Sequence, residues 1–326
     1  MWPNDFSGKL VFWKRSSLNS NRIALEPKKI DAYVQAIEFS GGSVSDLSAE
    51  IEALVWTDYA RPDLLEAALA SNSQLKWVQL PFAGVDAFSR IISAHPGITF
   101  TSAKRSYSEP VAEHALMLCM ALGRAIPERV RAKEWGKKFA QTLFDEDLLI
   151  VGGGGIAQKL VELLEPFRTR VKVLRKRPAE PFTNSPFSSV SGFDALDQEL
   201  TKAKFVIIAC ALTDETRFLF SANRFELMRN DAYLVNVARG EVVNQDDLVV
   251  ALRRGEIAGA ATDVTYPEPL PAGHEMWSVE NLIITPHTAD TPEIVKGLFA
   301  KRLGENVSAW ISGSQLVGVV DPKLGY

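Results

Sequence analysis

Apolar residues fall into short continuous runs separated by longer amphipathic stretches, and the two alternate along nearly the whole chain. In the first part, the runs predict strands at Lys9–Trp13, Ala53–Trp56, Leu75–Leu80 and Ile98–Thr101, with helices at Pro27–Glu38, Asp63–Ser71 and Asp86–Ser93. In the second part, strands are predicted at Leu148–Val151, Val171–Leu174, Phe205–Cys210, Ala232–Val237, Ile257–Asp263 and Leu282–Thr285. Strands that are apolar throughout belong to parallel sheets covered by helices on both faces. Two longer helical patterns stand apart. One runs from near Glu109 to Arg131 with Val111, Ala115, Leu118 and Leu122 on one face; the other opens at Pro292 and carries Ile294, Leu298, Leu303 and Val307. The first leads into the second block and the other leads back. The pattern therefore predicts two doubly wound α/β domains joined by long helices, residues 1–110 with 291–326, and residues 111–290.

The length of 326 residues suits two domains, each burying its own core. A formal net charge of -4 lacks the basic excess of a general nucleic-acid binder. Cys119 and Cys210 are too few and too far apart for a disulfide framework or a zinc knuckle, which points to a reducing compartment. Met1 to Leu10 contains Pro3 and Asp5 and no basic-then-apolar signal, and the apolar runs are too short to cross a bilayer. The expectation is a cytoplasmic protein with neither membrane nor nucleic acid as partner.

The strongest local motif follows the strand at Leu148–Val151. Gly152-Gly153-Gly154-Gly155-Ile156-Ala157 leads straight into an amphipathic helix, and reads as G-x-G-x-x-A on Gly152, Gly154 and Ala157. Gly152 permits the tight turn, Gly154 lets backbone approach a pyrophosphate, and Ala157 keeps helix and strand close. The helix N-terminus adds unpaired N–H groups and partial positive charge. Dinucleotide binding follows from this context. The next strand ends in Leu174-Arg175-Lys176-Arg177-Pro178, with no carboxylate to hold ribose hydroxyls and three cations where a 2′-phosphate would lie. The cofactor expectation is NADP(H), with Arg175 leading and NAD(H) as the alternative.

Three further polar residues follow predicted strand ends, where a doubly wound sheet binds its ligands. They are Arg239 after Val235-Asn236-Val237-Ala238, Glu268 after Asp263, and His287 after Leu282-Ile283-Ile284-Thr285. Hydride transfer to a ketone needs a proton donor, and imidazolium serves near neutral pH. A carboxylate beside it favours the charged form, and an arginine holds a substrate carboxylate or polarises a carbonyl. The expected substrate is a small 2-keto or 2-hydroxy acid.

These pieces, with the Ala83-Gly84-Val85-Asp86 loop, the Thr213-Asp214-Glu215-Thr216 segment and Asn236-Val237-Ala238-Arg239-Gly240, resemble the D-isomer-specific 2-hydroxyacid dehydrogenase family over nearly the whole chain. The basic turn is similar to that of its glyoxylate and hydroxypyruvate reductases. The resemblance implies a flavodoxin-like substrate domain, a Rossmann cofactor domain and a homodimer paired through the cofactor domains. It makes His287 the acid/base, Glu268 its partner and Arg239 the substrate anchor, with Ala83 and Gly84 N–H groups on the substrate carboxylate. Gly155, Ile156, Lys176, Arg177, Cys210, Ala211, Thr213 and Ala238 would line the cofactor, with Val111 near the nicotinamide ring and Asp263 at its carboxamide. Two departures stand out. Asn244 replaces a frequent Asp, and Thr288-Ala289-Asp290 follows His287 where the family often has Ile-Ala-Gly. Glu268 stands where formate dehydrogenases of the wider group carry Gln, which disfavours that activity. Two alternatives remain open at this point. One is an NAD-linked dehydrogenase of D-lactate or 3-phosphoglycerate; the other is a nucleotide-sensing, corepressor-like binding protein, against which the short flanks of the chain count.

Overall fold

The computed structural model describes residues 21–183 and 185–322, so the strand expected at Lys9–Trp13 lies outside the described residues. The chain divides into two compact units, one formed by residues up to Lys104 together with those from Lys296 onward, the other by Arg105–Val295. The second unit is thus larger at both ends than the expected 111–290.

In the first unit, β1 (Arg22–Glu26), α1 (Asp31–Phe39), β2 (Ser43–Ser45), β3 (Ala53–Trp56), α2 (Pro62–Ser71), β4 (Trp77–Gln79), α3 (Ser89–Ala94) and β5 (Thr99–Thr101) build a five-stranded sheet of order β2-β1-β3-β4-β5. All its pairings are parallel, and this is the flavodoxin-like order. Strand β1 was not expected from the pattern. Arg22 and Glu26 bracket only three apolar residues, yet Ile23, Ala24 and Leu25 are fully buried. Leu54, Trp56, Leu65, Val78, Phe88 and Phe100 form the core on one face.

In the second unit, α4 (Ser108–Gly123) stops well short of Arg131. Ala125 turns left-handed at φ 51°, and Pro127 sits in the first turn of a separate α5 (Ile126–Arg131). In a continuous helix the ring of Pro127 would meet the carbonyl of Gly123. The elements β6 (Asp147–Val151), α6 (Gly155–Leu164), β7 (Arg170–Leu174), β8 (Ser188–Ser191), α7 (Leu196–Leu200), β9 (Phe205–Ile208), α8 (Ala222–Leu227), β10 (Tyr233–Asn236), α9 (Gln245–Arg254), β11 (Gly259–Thr262) and β12 (Leu282–Ile284) follow. The sheet is parallel, of order β12-β11-β10-β9-β6-β7-β8, with its topological switch between β6 and β9. This is the Rossmann order with one strand added at β12. Helix α4 packs against α6, β10 and β11, so its full length belongs to this unit.

The core of the second unit gathers Leu149, Val151, Val206, Ile208, Phe220, Phe225 and Leu234. Each such buried side chain contributes about 1.5–3 kcal/mol. Asn244 caps α9 by accepting the amides of Asp246 and Asp247, both at 3.2 Å, so this departure from the family pattern has a structural use. Helix α10 (Pro292–Ser312) supplies the first unit with Phe299, whose ring meets Tyr33 edge-on at 5.0 Å. No helix among the described residues is long and apolar enough to cross a membrane.

Candidate active site

Strand register builds the site. Leu174 pairs with Val151, Val151 with Ile208, Ile208 with Asn236, Asn236 with Thr262 and Thr262 with Ile284. These residues form one row across the carboxyl edge of the sheet, about 24 Å from β7 to β12 at roughly 4.8 Å per strand. The next residues along each strand, Arg175, Gly152, Ala209, Val237, Asp263 and Thr285, open the loops of one continuous rim. Every candidate of the second unit except Val111 leaves this edge. Val111 is buried near the start of α4.

At the switch point the backbone dictates glycine. Gly152 has φ 120°, donates its amide to the Leu174 carbonyl at 2.8 Å, and lies so close to the β9 loop that a Cβ would sit 2.5 Å from the Ala209 oxygen. At Gly154 the geometry is the reverse, with nothing within 4 Å of the position of a Cβ. Gly154 is also the extended N-cap of α6, without a side-chain cap, so the amides of Gly155 and Ile156 begin a helix whose positive end faces an open cradle. Open space over glycine backbone, joined to N–H donors, fits a dinucleotide pyrophosphate. A Cβ on Gly155 would lie 2.2 Å from Ser108 Oγ, so α4 begins hard against this loop.

On the β9 side, Thr216 Oγ accepts the Thr213 amide at 2.8 Å and donates to the Ala211 carbonyl at 2.7 Å, which fixes the turn. Burial pushes the Cys210 thiol up to about 12, so it stays protonated and serves as packing.

The basic turn carries counter-charges, one from its own loop and one from the loop after β9. Arg175 reaches back over Gly153, donates to Glu180 Oε2 at 3.1 Å and to the Pro181 carbonyl at 3.2 Å, and lies 5.5 Å from the centre of the Phe182 ring. Arg177 holds the other Glu180 oxygen at 2.9 Å, and Lys176 holds Glu215 at 3.0 Å. One carboxylate thus bridges two guanidinium groups, as a phosphate would.

At the far end of the rim, His287 Nδ1 lies 2.5 Å from Glu268 Oε1. An ionised carboxylate only accepts, so Nδ1–H donates and Nε2 is the nitrogen left for chemistry. The bond to Glu268 raises the His287 pKa above its ordinary value; burial opposes it, the Asp290 charge adds to it, and the Arg239 charge subtracts. Arg239 follows β10 with its Nη1 donating to the Ala238 carbonyl at 2.7 Å. Gly240 explains how that strand end meets the loop bearing Glu268, since a Cβ there would lie 2.2 Å from the Thr265 carbonyl carbon.

Asp263 is a buried junction under this end. Its Oδ1 accepts from Thr285 Oγ1 at 2.5 Å and the Thr288 amide at 2.9 Å; its Oδ2 accepts the Ala289 amide at 3.1 Å. His114 Nε2 stands 3.2 Å from the same Oδ1. Burial pushes the Asp263 carboxyl up, but these donors outweigh it and hold the carboxyl below its usual range. His114 escaped the sequence reading, because a lone histidine within an apolar helix carries no signal of a partner so distant along the chain. In the first unit, Ala83 and Gly84 occupy the turn after β4, Ala83 exposed and Gly84 half-buried, just before the single 3-10 turn at Asp86–Phe88.

Residues 114–289 match the sequence model of the D-isomer specific 2-hydroxyacid dehydrogenase, NAD binding domain. The chain is 34% identical to a protein in the proB 3′ region of Corynebacterium melassecola, over 81% of this chain and 86% of that one. It is 29% identical to a glyoxylate reductase/hydroxypyruvate reductase of Mus musculus, over 80% of each. Among solved structures it is similar to a D-isomer specific 2-hydroxyacid dehydrogenase of Xanthobacter autotrophicus Py2 in complex with NADPH and MES, with a TM-score of 0.80 and 25% identity over 94% of this chain and 99% of that one.

Proposed function

Because the chain belongs to the D-isomer-specific 2-hydroxyacid dehydrogenases, NAD(P)-dependent oxidoreductases acting on CH–OH groups, we propose that it reduces a small 2-keto acid, glyoxylate or hydroxypyruvate, with NADPH. The observation that carries this reading is the two-ended rim. An arginine-led turn that gathers two guanidinium groups on one carboxylate lies at one end, and an imidazole favoured in its charged form lies at the other.

When bound, the dinucleotide supplies the hydride to the carbonyl carbon. His287 gives the Nε2 proton to the carbonyl oxygen, while Glu268 balances the imidazolium at Nδ1 and keeps the ring oriented. Arg239 anchors the substrate carboxylate. Gly152, Gly154, Gly155 and Ile156 receive the pyrophosphate. Arg175, Lys176 and Arg177, now on Glu180 and Glu215, would hold the 2′-phosphate. Cys210, Ala211, Thr213 and Ala238 line the nucleotide, with Val111 and Asp263 beside the nicotinamide. The activity of the mouse relative and the NADPH bound to the Xanthobacter protein support the substrate and cofactor. A cytoplasmic homodimer paired through the cofactor units completes the proposal.

A second reading, an NAD-linked dehydrogenase, draws on one observation: Glu180 and Glu215 already neutralise much of the turn. Steady-state reduction of glyoxylate, hydroxypyruvate, pyruvate and phenylpyruvate, with NADPH and NADH side by side, separates the two. A clear NADPH preference with glyoxylate or hydroxypyruvate supports the proposal, and equal efficiency with both cofactors supports the NAD-linked reading. Measurable NADPH binding without turnover of any acid favours the corepressor-like binding protein.

A further inference from the structure

His287 stands between two carboxylates, and only one of them belongs to the pair described above. Asp290, three residues on, places its Oδ1 3.8 Å from His287 Nε2, with a side chain only 16% exposed. At that distance a carboxylate attracts an imidazolium but is too far to capture its proton in a hydrogen bond. Asp290 therefore leaves Nε2–H available to a substrate oxygen, which a hydrogen bond between the two would have prevented. The backbone explains the placement. Thr288 and Ala289 are pinned to Asp263 through their amides, so the chain turns and returns Asp290 to the ring.

We propose that Asp290 is a positioning residue that acts on His287 from the Nε2 side, holding the ring in its proton-loaded form and extending reduction to higher pH. The reductive role rests on the reading of His287 as proton donor; the electrostatic effect rests on geometry alone. The charged groups that face His287 are Glu268, Asp290 and Arg239, and those that face Asp290 are His287, Arg239, Asp263 and Glu268. Asp263 is engaged by Thr285, Thr288, Ala289 and His114, while Arg239 supplies the opposing positive charge. Burial outweighs the pull of His287 and Arg239 and, with the nearby Asp263 and Glu268 charges, leaves the Asp290 carboxyl above its usual range. Reduction consumes the imidazolium and oxidation needs the neutral ring, so a second carboxylate favours the form of the enzyme that reduces.

The test is an NMR titration of the His287 ring in the full-length enzyme without substrate, for the unaltered protein, Asp290→Asn and Glu268→Gln. The chain has four histidines, which keeps assignment tractable. The Asp290→Asn midpoint should fall by about one pH unit, in keeping with the loss of a close opposite charge. The alkaline limb of reductive kcat/KM should fall with it. In Glu268→Gln, which removes the carboxylate on the other side of the ring, the His287 signals should still show an acid inflection as Asp290 takes up its proton. An unmoved midpoint in Asp290→Asn, or no acid inflection in Glu268→Gln, overturns the proposal. A midpoint that moves in a protein that reduces no 2-keto acid overturns the functional reading on which the reductive role rests, while leaving the electrostatic contact measured.

Discussion

Asp263 fixes the backbone of His287 from beneath. The His287 amide donates to the Asp263 carbonyl at 2.8 Å, and the Asp263 carboxylate takes the amides of the two residues that follow. This holds His287 at φ 52°, a left-handed conformation that is uncommon for a residue with a side chain.

Asp263→Asn should therefore lower both stability and turnover. It exchanges charge-assisted bonds for neutral ones and places an amide donor against backbone donors, a cost of about 2–3 kcal/mol by thermal or denaturant unfolding at neutral pH. A carboxyl held below its unfolded value adds stability that is present above that value and lost as pH falls through the folded one. The gap between the two proteins should narrow in the acid range, below about pH 4.

Glu268 should set the pH dependence of turnover. His287 has a raised pKa because its Nδ1–H is held by Glu268, so the proton-loaded form persists above the ordinary histidine value of about 6.5 and disappears as pH rises through the folded one. Reductive kcat/KM should be flat below that point and decline above it. Glu268→Gln should move the decline to lower pH and reduce the plateau, as measured in a pH–rate profile.

Arg175 should discriminate between cofactors. Loss of one charge-assisted contact to a phosphate costs about 1.5–3 kcal/mol, or roughly 10- to 100-fold. Arg175→Ala should raise the KM for NADPH by that factor and leave the KM for NADH nearly unchanged. Parallel steady-state measurements with both nucleotides check this.

Gly152→Ala should disable the fold around the switch point. Its φ of 120° and a Cβ only 2.5 Å from the Ala209 oxygen leave no room for relaxation without parting β6 from β9. A loss of at least about 3 kcal/mol is expected, seen as a lower melting temperature together with loss of NADPH binding.

The interior strands of the second sheet were legible because a parallel strand buried on both faces must be apolar throughout, as Phe205–Ile208 is. The edge strands β2 and β8 were not, because Ser43–Ser45 and Ser188–Ser191 are half-exposed and mostly serine. The positions of Arg239, Glu268 and His287 past strand ends could be read from the chain. That their strand ends share one row came only with the register. Glu215 shows the same limit: it lies 39 residues from Lys176, and folding brings the two together, whereas Glu180, three residues after Arg177, was legible beside the turn. Arg124 to Pro127, where the long helix breaks, was masked by an apolar period that continues across the break.

If His287 delivers the proton to a 2-keto acid reduced on this rim, its loss must cut turnover without loosening the cofactor. Reduction of glyoxylate and hydroxypyruvate with NADPH by the unaltered enzyme and by His287→Ala, with NADPH binding followed in parallel, measures both. The unaltered enzyme should turn over and the variant should be slower by roughly 10²- to 10⁴-fold, with NADPH affinity nearly intact. Equal turnover by the two proteins would contradict that role for His287.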